Sequence, residues 1–326
     1  MALNQILKSG TTSYVAVLFF SSGFSSLMLQ TSWNRILAQV IGIDFESQII
    51  VVSIFMLGLG LGSIAGGFVT RKLRQPLYFF AGAEIIISFF AFFSDSFLRT
   101  AQKYLSELTK GNYGFSSLLI DFTGYSVILL LPILLMGTSL PIVIHALRNR
   151  LPVGILTGTF YGVNLFGAVI GTLVSGIYLL GELGIREVLL LAGGINLSLS
   201  LGFLVLIKQS EKTSLAKLSS VFRNEGTYKV PLNIQILAFF CGLISIGFEV
   251  LFFRILTFFF GAKSYVFPLA LSAFLLHVMF GSLIAAKLLR KRVLVEKSLS
   301  IAFYSTLVLS LIPFLFARFV DNIYPK

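Results

Sequence analysis

Gly242–Lys291 reads GLISIGFEVLFFRILTFFFGAKSYVFPLALSAFLLHVMFGSLIAAKLLRK. It is a hydrophobic helix carrying Glu249 and Arg254, a turn at Gly261, and a second hydrophobic helix. The second helix ends in Gly281-Ser282 and the cations Arg290, Lys291 and Arg292. The same design recurs near the N-terminus, at an ungapped shift of 219 positions. Gly23 falls on Gly242, Arg35-Ile36-Leu37 on Arg254-Ile255-Leu256, and Gly42 on Gly261. Phe55 then falls on Phe274, Gly62-Ser63 on Gly281-Ser282, and Arg71-Lys72 on Arg290-Lys291. Between Phe19 and Lys72 there are 14 identities in 54 positions, and they include glycines and cations that hydrophobic composition does not supply. The stretch therefore reads as one copy of an internal repeat.

Composition sets the class. The chain is 56% hydrophobic and 12% charged, with a mean hydropathy of +0.94, outside the soluble balance. Apolar runs recur along its length, each sufficient for a hydrocarbon core about 30 Å thick. The single cysteine, Cys241, lies inside one of them, which excludes a disulfide framework or a cysteine metal site. The net charge of +12 is not a nucleic-acid signature, because the cations gather in alternate loops. Lys8 leads into a long span without a small-residue cleavage site, so the first helix is expected to stay as an anchor.

Nine spans are expected in an all-α integral membrane protein. They cover about 14–40, 47–69, 77–98, 118–147, 154–180, 187–207, 233–260, 265–289 and 298–318. The connection 99–116 reads as polar, with an amphipathic stretch as the open alternative. The chain divides into a six-helix half (1–207), a cytoplasmic loop (208–232) and a three-helix partial second half (233–326). Loop charge places the N-terminus in the cytoplasm and the C-terminus outside, and the expected location is a bacterial inner (plasma) membrane. Spans one to three match spans seven to nine, an even offset, so both copies cross in the same direction. That is a parallel repeat about the membrane normal, as between the halves of major-facilitator transporters.

These motifs resemble a known family. Glu249-Val250, Arg254, the Gly261 turn and Phe274 with Gly281-Ser282 are similar to the membrane region of fused spermidine synthase-like proteins. So are Leu135-Met136-Gly137-Thr138-Ser139-Leu140-Pro141, the segment Tyr161 to Gly171 around Asn164, and the turn from Gly181 to Gly184-Ile185-Arg186. The resemblance covers most of spans one to eight. It implies a transporter-like membrane region, which in many members precedes a soluble aminopropyltransferase domain. The glycine-rich cofactor loop of that domain has no counterpart here, so no cofactor and no enzyme activity are expected. Gln30 also stands where the second copy has Glu249.

An ionisable residue inside a span costs about 2.5–3.5 kcal/mol on insertion scales, so each invites a functional reading. Glu249 and Arg254 are five residues apart, roughly 140° around the helix and about 7.5 Å along it, and are poorly placed to pair. Repeat symmetry brings spans one and seven to the centre, where Glu249 is expected to meet Arg35. The competing reading is a structural ion pair, or arginines snorkelling to the outer interface. The substrate-binding candidates are Arg35, Glu249, Arg254, Gln30 and Asn164. Glu84 lies in the inner third of span three, within reach of the cytoplasmic headgroups. Gly158, Gly162, Gly167 and Gly171 have four-residue spacing and read as helix-packing positions. His145 and His277 have no carboxylate at helical spacing, so no metal site is expected. No catalytic constellation is legible.

These residues support two functions. One is binding or translocation of a small, polyamine-like solute, which with an incomplete second half requires a homodimer or a partner subunit. The other is a non-transporting platform that anchors a soluble, synthase-like partner. The topology is directly testable. In a Cys241→Ser background, Asp44→Cys and Arg223→Cys are expected to label from opposite sides of the membrane. Labelling from one side defeats both the orientation and the parallel repeat.

Overall fold

In the computed structural model the described residues are 10–41, 44–73, 75–109, 114–148, 152–212, 231–261, 263 and 265–290. Among them every element is a helix. α1 is Gly10–Ile41, α2 Asp44–Lys72, α3 Pro76–Thr109 and α4 Phe115–Leu147. α5 begins as Val153–Leu173 and continues through a π-helical turn, Val174–Leu179, and a last α-turn, Leu180–Glu182. α6 is Ile185–Lys212, α7 Leu232–Phe260 and α8 Val266–Arg290. These make eight stretches long and apolar enough to cross a membrane. The expected ninth span, 298–318, lies outside the described residues, as does most of the loop 208–232.

Glycine makes the turns where the sequence places them. Gly184 (φ 91°) lets α5 give way to α6, and Gly261 (φ 76°) closes α7 before α8. Both angles are in the left-handed region, which disfavours any side chain with a Cβ. One boundary differs from expectation. α3 does not stop near residue 98 but runs on to Thr109. Its polar residues there are used rather than solvated at random. Arg99 donates to Asp95 (2.8 Å) and to Gln39 of α1 (3.1 Å), and Gln102 donates to the Val40 carbonyl. Leu105, one heptad beyond buried Leu98, packs on Gly124 of α4.

Three apolar cores run through the bundle. The first joins Trp33, Ile36 and Leu37 of α1 to Ile50, Ile54 and Phe55 of α2, with Leu129 and Ile133 of α4. The second joins Phe19 of α1 to Phe80 of α3, Phe160 of α5 and Phe203 of α6. The third links Leu165 and Val169 of α5 to Phe253 of α7 and to Phe267, Leu271 and Leu275 of α8. α5 thus lies between α1 and α8, its most extensive neighbours, while α2 packs chiefly on α4.

Glycines set these distances. A Cβ at Gly167 would fall on the Phe20 carbonyl oxygen, one at Gly171 on that of Phe24, and one at Gly23 on that of Asn164. Gly62 meets the Leu134 carbonyl of α4 in the same manner. On the other side of α5, Ser282 of α8 donates its hydroxyl to the Gly158 carbonyl (2.7 Å). Gly162 differs, since its nearest neighbour is the tip of the Leu283 side chain, which can turn aside.

Backbone cannot turn aside, and this ranks the glycines. Gly167→Ala and Gly171→Ala are expected to lower stability by about 1–3 kcal/mol through overpacking. Gly162→Ala should be milder. Gly60→Ala and Gly67→Ala, with open space at the Cβ, should be neutral or stabilising by up to about 1 kcal/mol through helix propensity. Melting of the purified variants checks the order, and equal losses at Gly171 and Gly60 would defeat it.

Candidate functional site

The second half of α1 places Thr31, Asn34, Arg35 and Ala38 along one stripe, at spacings of three and four residues. That stripe forms one wall of a cavity of about 270 Å³. The facing walls are Gly176, Ile177, Leu180 and Gly181 of the π-helical turn and the α-turn after it, Phe253 and Thr257 of α7, Lys263, and the segment from Tyr265 to Leu269. A π-helical turn holds one extra residue and so rotates the rest of its helix relative to a regular α-helix. Here the hydroxyls of Thr31 and Ser175 share a 2.7 Å hydrogen bond that ties α1 to it. Pro268, at the start of α8, packs directly on Gly176.

Among the described residues the lining holds two cations, Arg35 and Lys263, and no carboxylate. The Lys263 ammonium lies 5.8 Å from the centroid of the Tyr265 ring. Asn34 is only 9% exposed, and its Oδ1 has no hydrogen-bond partner among the described residues. An unpaired polar atom at that depth costs about 1–3 kcal/mol, which a ligand or a water recovers.

Glu249 is 4% exposed, and neither of its carboxylate oxygens has a hydrogen-bond partner among the described residues. The expected meeting of Glu249 with Arg35 is therefore not formed. Four residues separate Glu249 from Phe253, so it lies on the cavity-facing stripe of α7, about 6 Å beyond the lining. Gln30 stands in the same relation to Asn34 on α1. It is buried, and its Nε2 is likewise unpartnered among the described residues. Arg254 is exposed on α7 and is not among the lining residues. Asn164 is elsewhere too. Its amide donates to the Phe19 carbonyl (2.9 Å) and bridges α5 to α1 beside Gly23.

The structure adds Thr31, Asn34, Thr257, Lys263 and Tyr265 to the residues singled out from sequence. Their signal was faint, because hydroxyls and a lone lysine in a turn occur at many positions in such a chain. Glu84 is a larger departure. It is 3% exposed, buried among helices rather than reaching toward headgroups, and accepts a hydrogen bond from Ser22 of α1. His145 is half-buried, and exposed His277 has its Nδ1 2.6 Å from the Ala273 carbonyl oxygen. Among the described residues no three His, Cys, Asp or Glu side chains gather as metal ligands do.

No protein-family model matches the chain, and searches of curated proteins and of solved structures likewise find no match. Function is therefore read from geometry. The cavity offers charge and hydrogen-bonding groups, and the Glu249 carboxylate lies about 6 Å beyond its lining.

Proposed function

We propose that this chain is a transporter-like membrane protein of the spermidine synthase-like type, and that it binds a small solute between α1 and α7 on the path of translocation. The observation that carries the reading is the cavity at their junction, with Asn34 unsatisfied in its wall and Gln30 and Glu249 unsatisfied one turn deeper. The repeat supports it. Arg35-Ile36-Leu37 and Gly42 of the first copy recur as Arg254-Ile255-Leu256 and Gly261 at the 219-position shift. Gln30 and Glu249 are equivalent positions in that register, so the two copies of the motif contribute matching levels of the site.

The solute is a small polar molecule rather than a lipid chain. A polyamine-like amine finds its counter-charge at Glu249, the carboxylate on the cavity-facing side of α7. Arg35 and Lys263 repel a bare polycation, so a solute that also carries an anionic group suits the lining better.

Trp33 is the only tryptophan of the chain and sits next to Asn34, so its fluorescence is a native reporter. Titration with polyamines, amino acids and small dicarboxylates is expected to shift its emission, and radiolabelled forms of the active solute should enter proteoliposomes. Glu249→Gln should remove the response to amines. Arg35→Ala should weaken anion-bearing solutes about tenfold or more, as expected from the roughly 1.5–3 kcal/mol of a hydrogen bond to a charged group. If no solute shifts the emission or enters, while a soluble protein binds the purified chain stoichiometrically, the platform reading replaces this one.

A further inference from the structure

A second group of polar side chains lies away from the cavity, inside the bundle where α1, α3 and α6 meet. Ser22 of α1 donates to Oε1 of Glu84 on α3 (3.2 Å). Ser25, one turn along α1, hydrogen-bonds to both the Ser22 carbonyl and Oδ1 of Asn196 on α6. Ser200 is one turn beyond Asn196 on the same side of α6. A separate contact fixes the relative height of α3 and α6. Ser88 of α3 donates to the Gly193 carbonyl of α6 (2.8 Å), which puts those residues level. Neighbouring helices that run in opposite directions stay level when one is counted back and the other forward. Four residues from each contact bring Glu84 beside the Asn196–Ser200 turn. All five side chains are at most 5% exposed.

This group is electrically incomplete. Glu84 brings a carboxylate into the bundle interior, and its contacts among the described residues are with neutral groups. Its Oε2 has no hydrogen-bond partner there, and neither do the Ser200 hydroxyl and Nδ2 of Asn196. Isolated charge in a low-dielectric interior is not tolerated, so the carboxylate must be neutralised. We propose that Glu84, Ser22, Ser25, Asn196 and Ser200 form a binding site for a sodium-sized monovalent cation within the bundle.

The donor set supports this choice. Hard cations take oxygen ligands, and here a carboxylate, three hydroxyls and an amide oxygen arrive from three helices. Each serine hydroxyl that points its hydrogen at an acceptor keeps lone pairs for an ion. One carboxylate balances a single positive charge, whereas a divalent ion would leave a net charge buried. A proton would neutralise Glu84 at one oxygen and leave the buried Ser200 hydroxyl without a partner among the described residues. Nδ2 of Asn196 is a donor that the cation does not serve. A carboxylate has about four lone-pair sites, enough to bind the ion and accept from this amide. The site shares no residue with the cavity between α1 and α7, so it stands whether or not that cavity binds a solute.

The test is thermal melting of the detergent-purified protein at constant ionic strength, with sodium chloride replacing choline chloride stepwise, and potassium chloride as a third series. Sodium is expected to raise the melting temperature saturably, and potassium to do so much less. Ser200→Ala should weaken the sodium response about 10–100-fold, the usual loss when support for a bound metal is removed. Glu84→Gln should abolish it while melting no lower than wild type in choline, because a neutral amide needs no counter-ion. Identical melting of wild type in sodium and choline overturns the proposal. So does a stability that depends on pH alone, which would assign the site to a proton. A Glu84→Gln protein that melts low but keeps the sodium response would make Glu84 a packing residue and overturn it as well.

Discussion

The structure depends on backbone-to-backbone contact along α5. Lipid tails are as apolar as leucine, so the hydrophobic effect does not drive two helices together inside a membrane. Dispersion and hydrogen bonds must do it, and both fall off steeply with distance. Gly167 and Gly171 bring α5 onto the Phe20 and Phe24 carbonyls of α1, and Gly23 answers from α1 at Asn164. The opposite side of α5 receives α8 at Gly158, fixed by the Ser282 hydroxyl. The π-helical turn that walls the cavity is the continuation of this same helix. Its position relative to Arg35 is therefore set by glycines several turns away.

α1 is the other shared element. Ser22 and Ser25 meet α3 and α6, whereas Thr31, Asn34 and Arg35 face the π-helical turn and α7. Thirteen residues separate Ser22 from Arg35, about 20 Å along the axis and about 220° around it. One helix thus carries two polar groups on different sides and at different depths. Each is surrounded by apolar packing, the first by Phe19, Phe80 and Phe203 and the second by Trp33, Ile36 and Leu37. Hydrophobic neighbours of this size exclude water, which strengthens every electrostatic interaction within.

The helices and turns were legible because each rests on a local signal. Runs of apolar residues mark spans, and Gly184 and Gly261 mark turns that need a left-handed conformation. The end of α3 was not, because Arg99, Gln102 and Lys103 look like loop residues until Gln39 and Val40 of α1 are known to lie beside them. Glu84 failed for a related reason. Its place along the span was readable, but its direction depends on which helices pack against that side of α3. The polar pairs Glu84/Ser88 and Asn196/Ser200 at four-residue spacing, with Ser22/Ser25 at three, were the available clue. They carry meaning only when α1, α3 and α6 are brought together. Glu249 and Arg35 stood out as charges within apolar runs, and both lie at or near the cavity. Arg254 stood out equally and does not line it, because a 100° step from Phe253 takes its side chain off the cavity-facing stripe.

The two sides of the cavity are held very differently. The α1 wall is fixed by α2, α5 and α6, with Trp33, Ile36 and Leu37 fully enclosed. On α7 the buried residues are Glu249 and Phe253. Phe253 meets Phe267 of α8 edge-on, with ring centroids 5.9 Å apart. An element held by few buried groups opens at lower free energy than one enclosed on all sides. Among the described residues, then, α7 is the more weakly held wall, and Phe253 is its buried aromatic contact with α8. Glu249, one turn from Phe253 on the same helix, belongs to that wall. On the proposed binding reading, a solute that engages Glu249 would bias α7 by its differential affinity for any two positions of that helix, and by no more than that.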